Sequence, residues 1–424
     1  MLKGLRIFSV VLVMACSAAC GNNGATSTIT KYGNYSSVSI TPAPRVMGGA
    51  VQGTPLPLVA KDINSVTVST IAGTPGTAGA TDGIDAAARF NMVNGITADG
   101  KGNLYIADYG NHTIRKYSFS NHSTTTIAGV PGVAGSNTVL DSDGTTPAHA
   151  YGASGGAPVA QFYNPSGITT DGNGNLYVAD YNNDTIRRIA FTNTSTVVTT
   201  IAGSPGTPGS VDDTYGYNAR FNHPTDVTTD GTNLYVTDSN NLTIRKIGLI
   251  APYSVTTVAG SPGNGGSNPP VGAAAVAGSA ARFRYPARIT TDGSNLYVTD
   301  FIENTISRIT IDANNNTFVS TIAGTPGVTG SADGIGAAAS FDNINGITSD
   351  GTNLYVTDTN NHTIRMIDPS GKVATIAGSA RISGSNTGTV SGAAALFRFP
   401  VGITTDGTSL YVTDSNNYTI RKIE

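Results

Sequence analysis

The feature that most constrains this chain is a unit repeated six times, which in its fullest form runs Gly-Ile-Thr-x-Asp-Gly, Asn-Leu-Tyr-Val-x-Asp, Asn-x-Thr-Ile-Arg-Lys-Ile and Thr-Ile-Ala-Gly. The Asp that closes the second piece falls at Asp108, Asp180, Asp238, Asp300, Asp358 and Asp414, at intervals of 72, 58, 62, 58 and 56 residues. Such a period is too long for a solenoid of single hairpins. Each unit carries runs of about five residues rich in Ile, Val, Tyr and Thr between Asp-Gly or Asn-rich turns, which reads as a four-stranded antiparallel sheet. In the second copy the strands are expected at residues 167–170, 175–180, 185–189 and 197–202.

Leu176, Tyr177 and Val178 are apolar in succession, so both faces of each sheet must be covered, as when sheets stack around an axis. The order of the pieces says how that ring closes. Residues 66–72 form an outer strand with no three strands before it, and the last copy, residues 397–423, has three strands and no fourth. All strands pair only if the N-terminal one completes the C-terminal blade. The expected fold is therefore all-β, a six-bladed β-propeller of four-stranded antiparallel blades over residues 65–424, which hides two sheet edges at the seam.

Pro165-Ser166-Gly167-Ile168, Asn175 to Asp180, Asn183, Ile186 and Arg187 resemble the NHL repeat, and the resemblance extends over nearly all of the chain after residue 65. It implies a propeller with mainly a binding role. The fourth copy departs from the pattern, with Arg288 for Gly, Glu303 for Asn and Ser307 for Arg. Some similar six-bladed proteins are lactonases or lyases that use calcium or zinc.

Charge argues against nucleic acid as a partner, since only 12% of residues are charged and the net charge is -3. The two cysteines, Cys16 and Cys20, stand at the extreme N-terminus and leave the rest of the chain without a thiol or a disulfide. Lys3 and Arg6 precede a short apolar stretch over residues 7–15, the form of a secretory signal. Ser17-Ala18-Ala19-Cys20 is similar to a bacterial lipobox, which makes Cys20 the expected lipidation site. Cys16 is the rival, and a plain signal cut near Ala19 is the alternative. Residues 1–20 thus read as a lipoprotein-type signal peptide and 21–64 as a flexible tether. The mature chain is expected on the bacterial cell envelope or extracellular face, held to the membrane by the lipid alone, or else secreted and soluble; it is expected to be monomeric.

Polar residues that recur in every blade are read as structural. The repeated Asp and Asn serve the turn after the second strand, the repeated Arg pairs with that Asp or packs between sheets, and the Asp-Gly pairs make hairpin turns. Positions that differ between copies cluster just before each innermost strand, around one mouth of the central channel. The candidate ligand-binding residues are Asn94, Tyr163, His223, Asp226, Arg284, Tyr285, Arg288, Asp342, Asn345 and Arg398. Asp226 and Arg288 replace the Gly of consecutive blades, as a structural ion pair or as a grip on a polar ligand. The five histidines, His112, His122, His149, His223 and His362, form no recognisable triad, and no catalytic residue is assigned. No cofactor is expected, with calcium at Asp226 and Asp342 left open. The leading expectation is a module that binds a protein, peptide or glycan. A cell-envelope adhesion scaffold is the alternative, and a metal-dependent lactonase or lyase-type enzyme the second alternative.

Overall fold

A computed structural model describes residues 27–32, 35–40, 66–136, 160–191, 196–386 and 388–424. The chain divides into two units, Met1–Val46 and Met47–Glu424. In the first, within the stretch read as a tether, Ser27–Tyr32 and Tyr35–Ile40 pair as an antiparallel hairpin. The signal segment, Cys20 and His149 lie outside the described residues.

The second unit is the six-bladed propeller. Blade 2 shows the plan: an inner strand Pro165–Thr170, then Asn175–Asp180, Thr185–Phe191 and outermost Thr196–Gly203, each antiparallel to the last. The inner strands of the others are Val93–Ala98, Pro224–Thr229, Pro286–Thr291, Ile344–Ser349 and Pro400–Thr405. Each lies beside the next around the ring, the sixth beside the first. Closure is as expected. Thr67–Ala72 pairs with Thr419–Ile423, placing Val68 opposite Ile423 and Thr70 opposite Arg421.

Among the described residues, four blades gain a fifth, two-residue strand that the sequence reading lacks: Gly83–Ile84, Val276–Ala277, Gly334–Ile335 and Val390–Ser391. The chain leaving one blade first runs along the outer edge of the next and only then turns inward. Two residues are too few to show an alternating pattern, so this strand leaves no periodic signal.

The core lies between blades, which explains the runs without alternation. Tyr177, Ala179 and Ile186 of blade 2, for example, pack with Phe221, Val227 and Val236 of blade 3. Near the axis the inner strands come so close that a Cβ at Gly402 would collide with the Asn94 carbonyl. Threonines lace neighbours together: Thr413 Oγ1 donates to the Asn94 carbonyl at 2.7 Å and Thr357 Oγ1 to the Val401 carbonyl at 2.8 Å.

The repeated polar residues form one buried assembly per blade. In blade 1, Arg115 is fully buried, its Nη1 donates to Asp108 Oδ2 at 2.7 Å, and Asn111 Nδ2 donates to the same carboxylate at 2.8 Å. The guanidinium also lies over the Phe90 ring, 5.2 Å from its centroid. Blades 2, 3, 5 and 6 repeat the arrangement on Phe162, Phe221, Phe341 and Phe397. Both structural readings of this Arg hold together: it pairs with the Asp and packs between sheets.

Candidate functional site

In a propeller, the loop entering the inner strand and the turn after the second strand open on the same face. Five residues just ahead of the inner strands adopt left-handed backbone, with φ near +50°: Met92, Asn164, His223, Asn343 and Phe399. In four of them the N–H group reaches across to a side chain in the preceding blade's turn. Asn164 N donates to His112 Nδ1 at 3.1 Å, His223 N to Asp184 Oδ1 at 2.8 Å, Asn343 N to Asn304 Oδ1 at 2.6 Å, and Phe399 N to His362 Nδ1 at 3.3 Å. Blade 3 has Leu242 at this turn position, which offers no acceptor. In blade 4 the N–H of Tyr285 donates instead to its own Asp300.

His112 and His362 must be neutral at Nδ1 to accept these bonds, and burial holds both below the ordinary histidine range. Arg398 presses His362 the same way. A depressed folded value means that their stabilisation is present above the unfolded value of about 6.5 and lost as pH falls below it. The double variant His112→Asn, His362→Asn keeps an acceptor, as Asn304 does, and cannot titrate. On lowering pH from 7.5 to 5, the wild type is expected to lose about 1 kcal/mol per histidine relative to the variant. Urea midpoints of the two proteins at both pH values check this.

Four of the sequence candidates meet at the channel axis. Arg288, 5% exposed, extends across it: Nε donates to Asn345 Oδ1 at 3.0 Å, Nη1 to the Thr225 carbonyl at 3.0 Å, and Nη2 to Asn94 Oδ1 of the opposite blade. Asp226 stands 3.7 Å from Nη1 and accepts the Ile289 N–H at 3.0 Å. Burial pushes the Asp226 carboxyl up and the Arg288 guanidinium down from their ordinary values, and each partner's charge opposes the other's shift. The pair is thus the floor of the mouth, joining blades 1, 3, 4 and 5.

The other six candidates stand above it or on the rim. The Tyr285 hydroxyl is raised by burial and then by the Tyr181 phenol, and the Arg288 charge opposes that shift. Arg284 is exposed and pairs with Glu303 at 2.8 Å. Tyr163 packs edge-on to His112, and His223 packs on Tyr181 at 4.6 Å. Asp342 accepts from Asn360 Nδ2 at 3.1 Å, and Arg398 lies beside His362. Asp226 is engaged by Arg288, and among the described residues no group of three or more His, Cys, Asp or Glu is placed to hold a metal ion.

Sequence reasoning missed Tyr109, Tyr181 and Phe301. They occupy the position just after the repeated Asp, where blades 3, 5 and 6 have Ser239, Thr359 and Ser415. Ser239 and Thr359 turn inward and donate to the Pro286 and Pro400 carbonyls, at 2.6 and 2.7 Å. The aromatic side chains are half-buried at the mouth instead: Tyr109 is 6.2 Å from Tyr181, and Phe301 is 6.0 Å from Tyr285. Burial raises the Tyr109 hydroxyl while the Arg288 charge opposes the shift. The variability of this position was the available signal.

The family model for the NHL repeat matches residues 90–117 and 162–189, the central parts of blades 1 and 2. Blades 1 and 2 of the six-bladed propeller thus carry NHL repeats. No curated protein matches its sequence. Among solved structures, this propeller is similar to a structural genomics protein of unknown function from Bacteroides thetaiotaomicron, with 18% identity, a TM-score of 0.60, and coverage of 98% of this chain and 87% of that one. It is also similar to auxiliary nutrient binding proteins from Bacteroides thetaiotaomicron (18% identity, TM-score 0.60, 85% and 76% covered) and Bacteroides ovatus (16% identity, TM-score 0.60, 95% and 89% covered). At these identities the likeness is one of fold.

Proposed function

We propose that this NHL-repeat propeller is a binding module, displayed outside the cell on a lipid at Cys20, that takes a glycan at the channel mouth. The observation that carries the reading is a concerted break in the repeat. Blades 1, 2 and 4 place Tyr109, Tyr181 and Phe301 where the other blades have small hydroxyl residues, and these rings gather with Tyr285 and His223 above a buried Arg288. Packing that serves every blade alike does not ask for this asymmetry.

Flat aromatic faces with polar edges suit sugar rings, which present C–H faces and a rim of hydroxyls. The exposed Arg284 and the amide of Asn240, which donates to His223 Nδ1 at 2.9 Å, add polar groups around them. The reading agrees with the description of two proteins of like fold as auxiliary nutrient binding proteins.

A glycan array followed by calorimetry on the mature chain tests it. Tyr181→Ala and Tyr285→Ala are each expected to weaken the ligand about 30-fold, the scale of an aromatic anchor worth about 2 kcal/mol. Tyr217→Ala, at an exposed site in the segment entering blade 3, is expected to leave binding unchanged. Loss with Tyr217→Ala and none with Tyr181→Ala would point to a scaffold that makes contact through its outer edge. Peptides captured in place of glycans would overturn the ligand class.

A further inference from the structure

The buried arginines differ in one respect that bears on how the ring is sealed. In blades 1, 3 and 5 each has a second carboxylate on its outer side. Asp82 accepts from Arg115 Nη2 at 2.8 Å, from Thr126 Oγ1 at 2.9 Å and from the Thr126 N–H at 3.0 Å. Asp212 does the same with Arg245 and Thr257, and Asp333 with Arg365 and Thr375. These three carboxylates face solvent, with side chains 47%, 41% and 51% exposed. In blade 4, Ser307 replaces the Arg and Asn268 Nδ2 donates to its hydroxyl. The counterpart in blade 2 lies outside the described residues.

Among the described residues, blade 6 keeps the donors and lacks the acceptor. Arg421 is fully buried, and its Nη1 is held by Asp414 at 3.1 Å and by the Leu396 carbonyl at 3.0 Å. Among the described residues its Nη2 has no hydrogen-bond partner, nor does the buried Oγ1 of Thr70. Thr70 sits opposite Arg421, just as Thr126 sits opposite Arg115 and Thr375 opposite Arg365. Asp82 and Asp333 immediately precede the two-residue outer strand of their blades, and in blade 6 that place belongs to Thr389, which is exposed. A buried guanidinium N–H and a buried hydroxyl without partners carry a desolvation cost that an acceptor would remove.

We propose that blade 6 binds a small carboxylate anion, of the size of formate or acetate, between Arg421 and Thr70, where the other blades supply an Asp side chain. The chemistry is that of the filled slots, with one oxygen shared by the guanidinium and the hydroxyl and the other facing the strand's main chain. Thr70 belongs to the N-terminal strand and Arg421 to the last strand of the chain, so an anion here ties together the two ends that close the ring.

The test is thermal unfolding and calorimetry of the mature chain with sodium formate or acetate, against sodium chloride at equal ionic strength. A saturable rise in Tm of about 3 °C is expected at a 100-fold excess over Kd, with slower amide exchange across Thr67–Ala72. Thr389→Asp supplies the missing carboxylate, so it is expected to raise Tm unaided and abolish the response. Thr70→Val, which keeps the strand and removes the hydroxyl, is expected to weaken the anion about tenfold. A formate response no larger than that of chloride, a full response retained in both variants, or binding of a capped Asp peptide without formate would overturn the proposal.

Discussion

Deletion of residues 66–73 is expected to abolish the cooperative unfolding transition of the whole propeller, not merely to loosen one blade. This segment is the fourth strand of blade 6, and it bonds the last residue of the chain in both directions: Thr67 N to the Glu424 carbonyl at 2.8 Å and Glu424 N to the Thr67 carbonyl at 3.0 Å. It buries Val66, Val68 and Ala72, and each Val contributes about 1.5–3 kcal/mol. Among the described residues the outer strand Val390–Ser391 pairs only with it, Val390 opposite Val68. Its loss therefore uncovers Ile420 and Ile423, leaves a raw edge along Thr419–Ile423, and unseats a second strand. Net stabilities of domains are about 5–15 kcal/mol, so removal of this much cannot be absorbed. Circular dichroism through a urea titration, with size exclusion to detect edge-to-edge association, gives the result; an unchanged midpoint would show that the ring holds without its seam.

The repeat made this seam readable, because an orphan outer strand at one end and an unfinished blade at the other admit a single pairing. The two-residue outer strands escaped notice because they are set by the path of the chain around each blade rather than by alternation. The second carboxylates Asp82, Asp212 and Asp333 escaped for another reason. Each stands nine residues after the Gly at the end of an outer strand, Gly73, Gly203 and Gly324, a regular spacing inside connections without a strand pattern, and only the fold shows that all three meet the buried arginines.

At the mouth, the choice of variable positions led to Arg288, Asp226, Asn94 and Asn345, which converge. The sequence left open whether Asp226 and Arg288 hold a ligand or each other, and the geometry makes them the channel floor. Tyr109, Tyr181 and Phe301 lay in a turn treated as uniform on account of its repeated Asp and Asn. The turn and the inner-strand entrance share one face only because strands alternate in direction within a blade. That neighbourhood is topological, with no counterpart in the spacing of residues along the chain.

The second large effect is expected from Arg365→Ala in blade 5. The guanidinium holds the buried Asp358 at 2.6 Å, the half-exposed Asp333 at 2.8 Å and the Ala332 carbonyl at 2.8 Å, and it covers the Phe341 ring. Truncation leaves the Asp358 charge buried with only the Asn361 amide and the Asp342 N–H as donors. A buried charge stripped of its partner costs about 3–5 kcal/mol. Blade 4 shows what the fold needs when this Arg is absent: Asp300 draws on the N–H groups of Arg284, Tyr285, Ile302 and Glu303, at 2.7 to 3.2 Å. Blade 5 has no such set, so the deficit should depend on pH with a definite sign. Burial already pushes the Asp358 carboxyl up to about 6, against the pull of Arg365. Without that pull the folded value rises further, and a raised value means stability present at low pH and lost as pH climbs through it. The variant is therefore expected to fall short of wild type by more at pH 8 than at pH 5. The double variant with Asp358→Ala should be less destabilised than the sum of the single changes by about 1–3 kcal/mol. Additive single effects, with a deficit equal at both pH values, would instead show that Arg365 stabilises the blade through its packing on Phe341 alone.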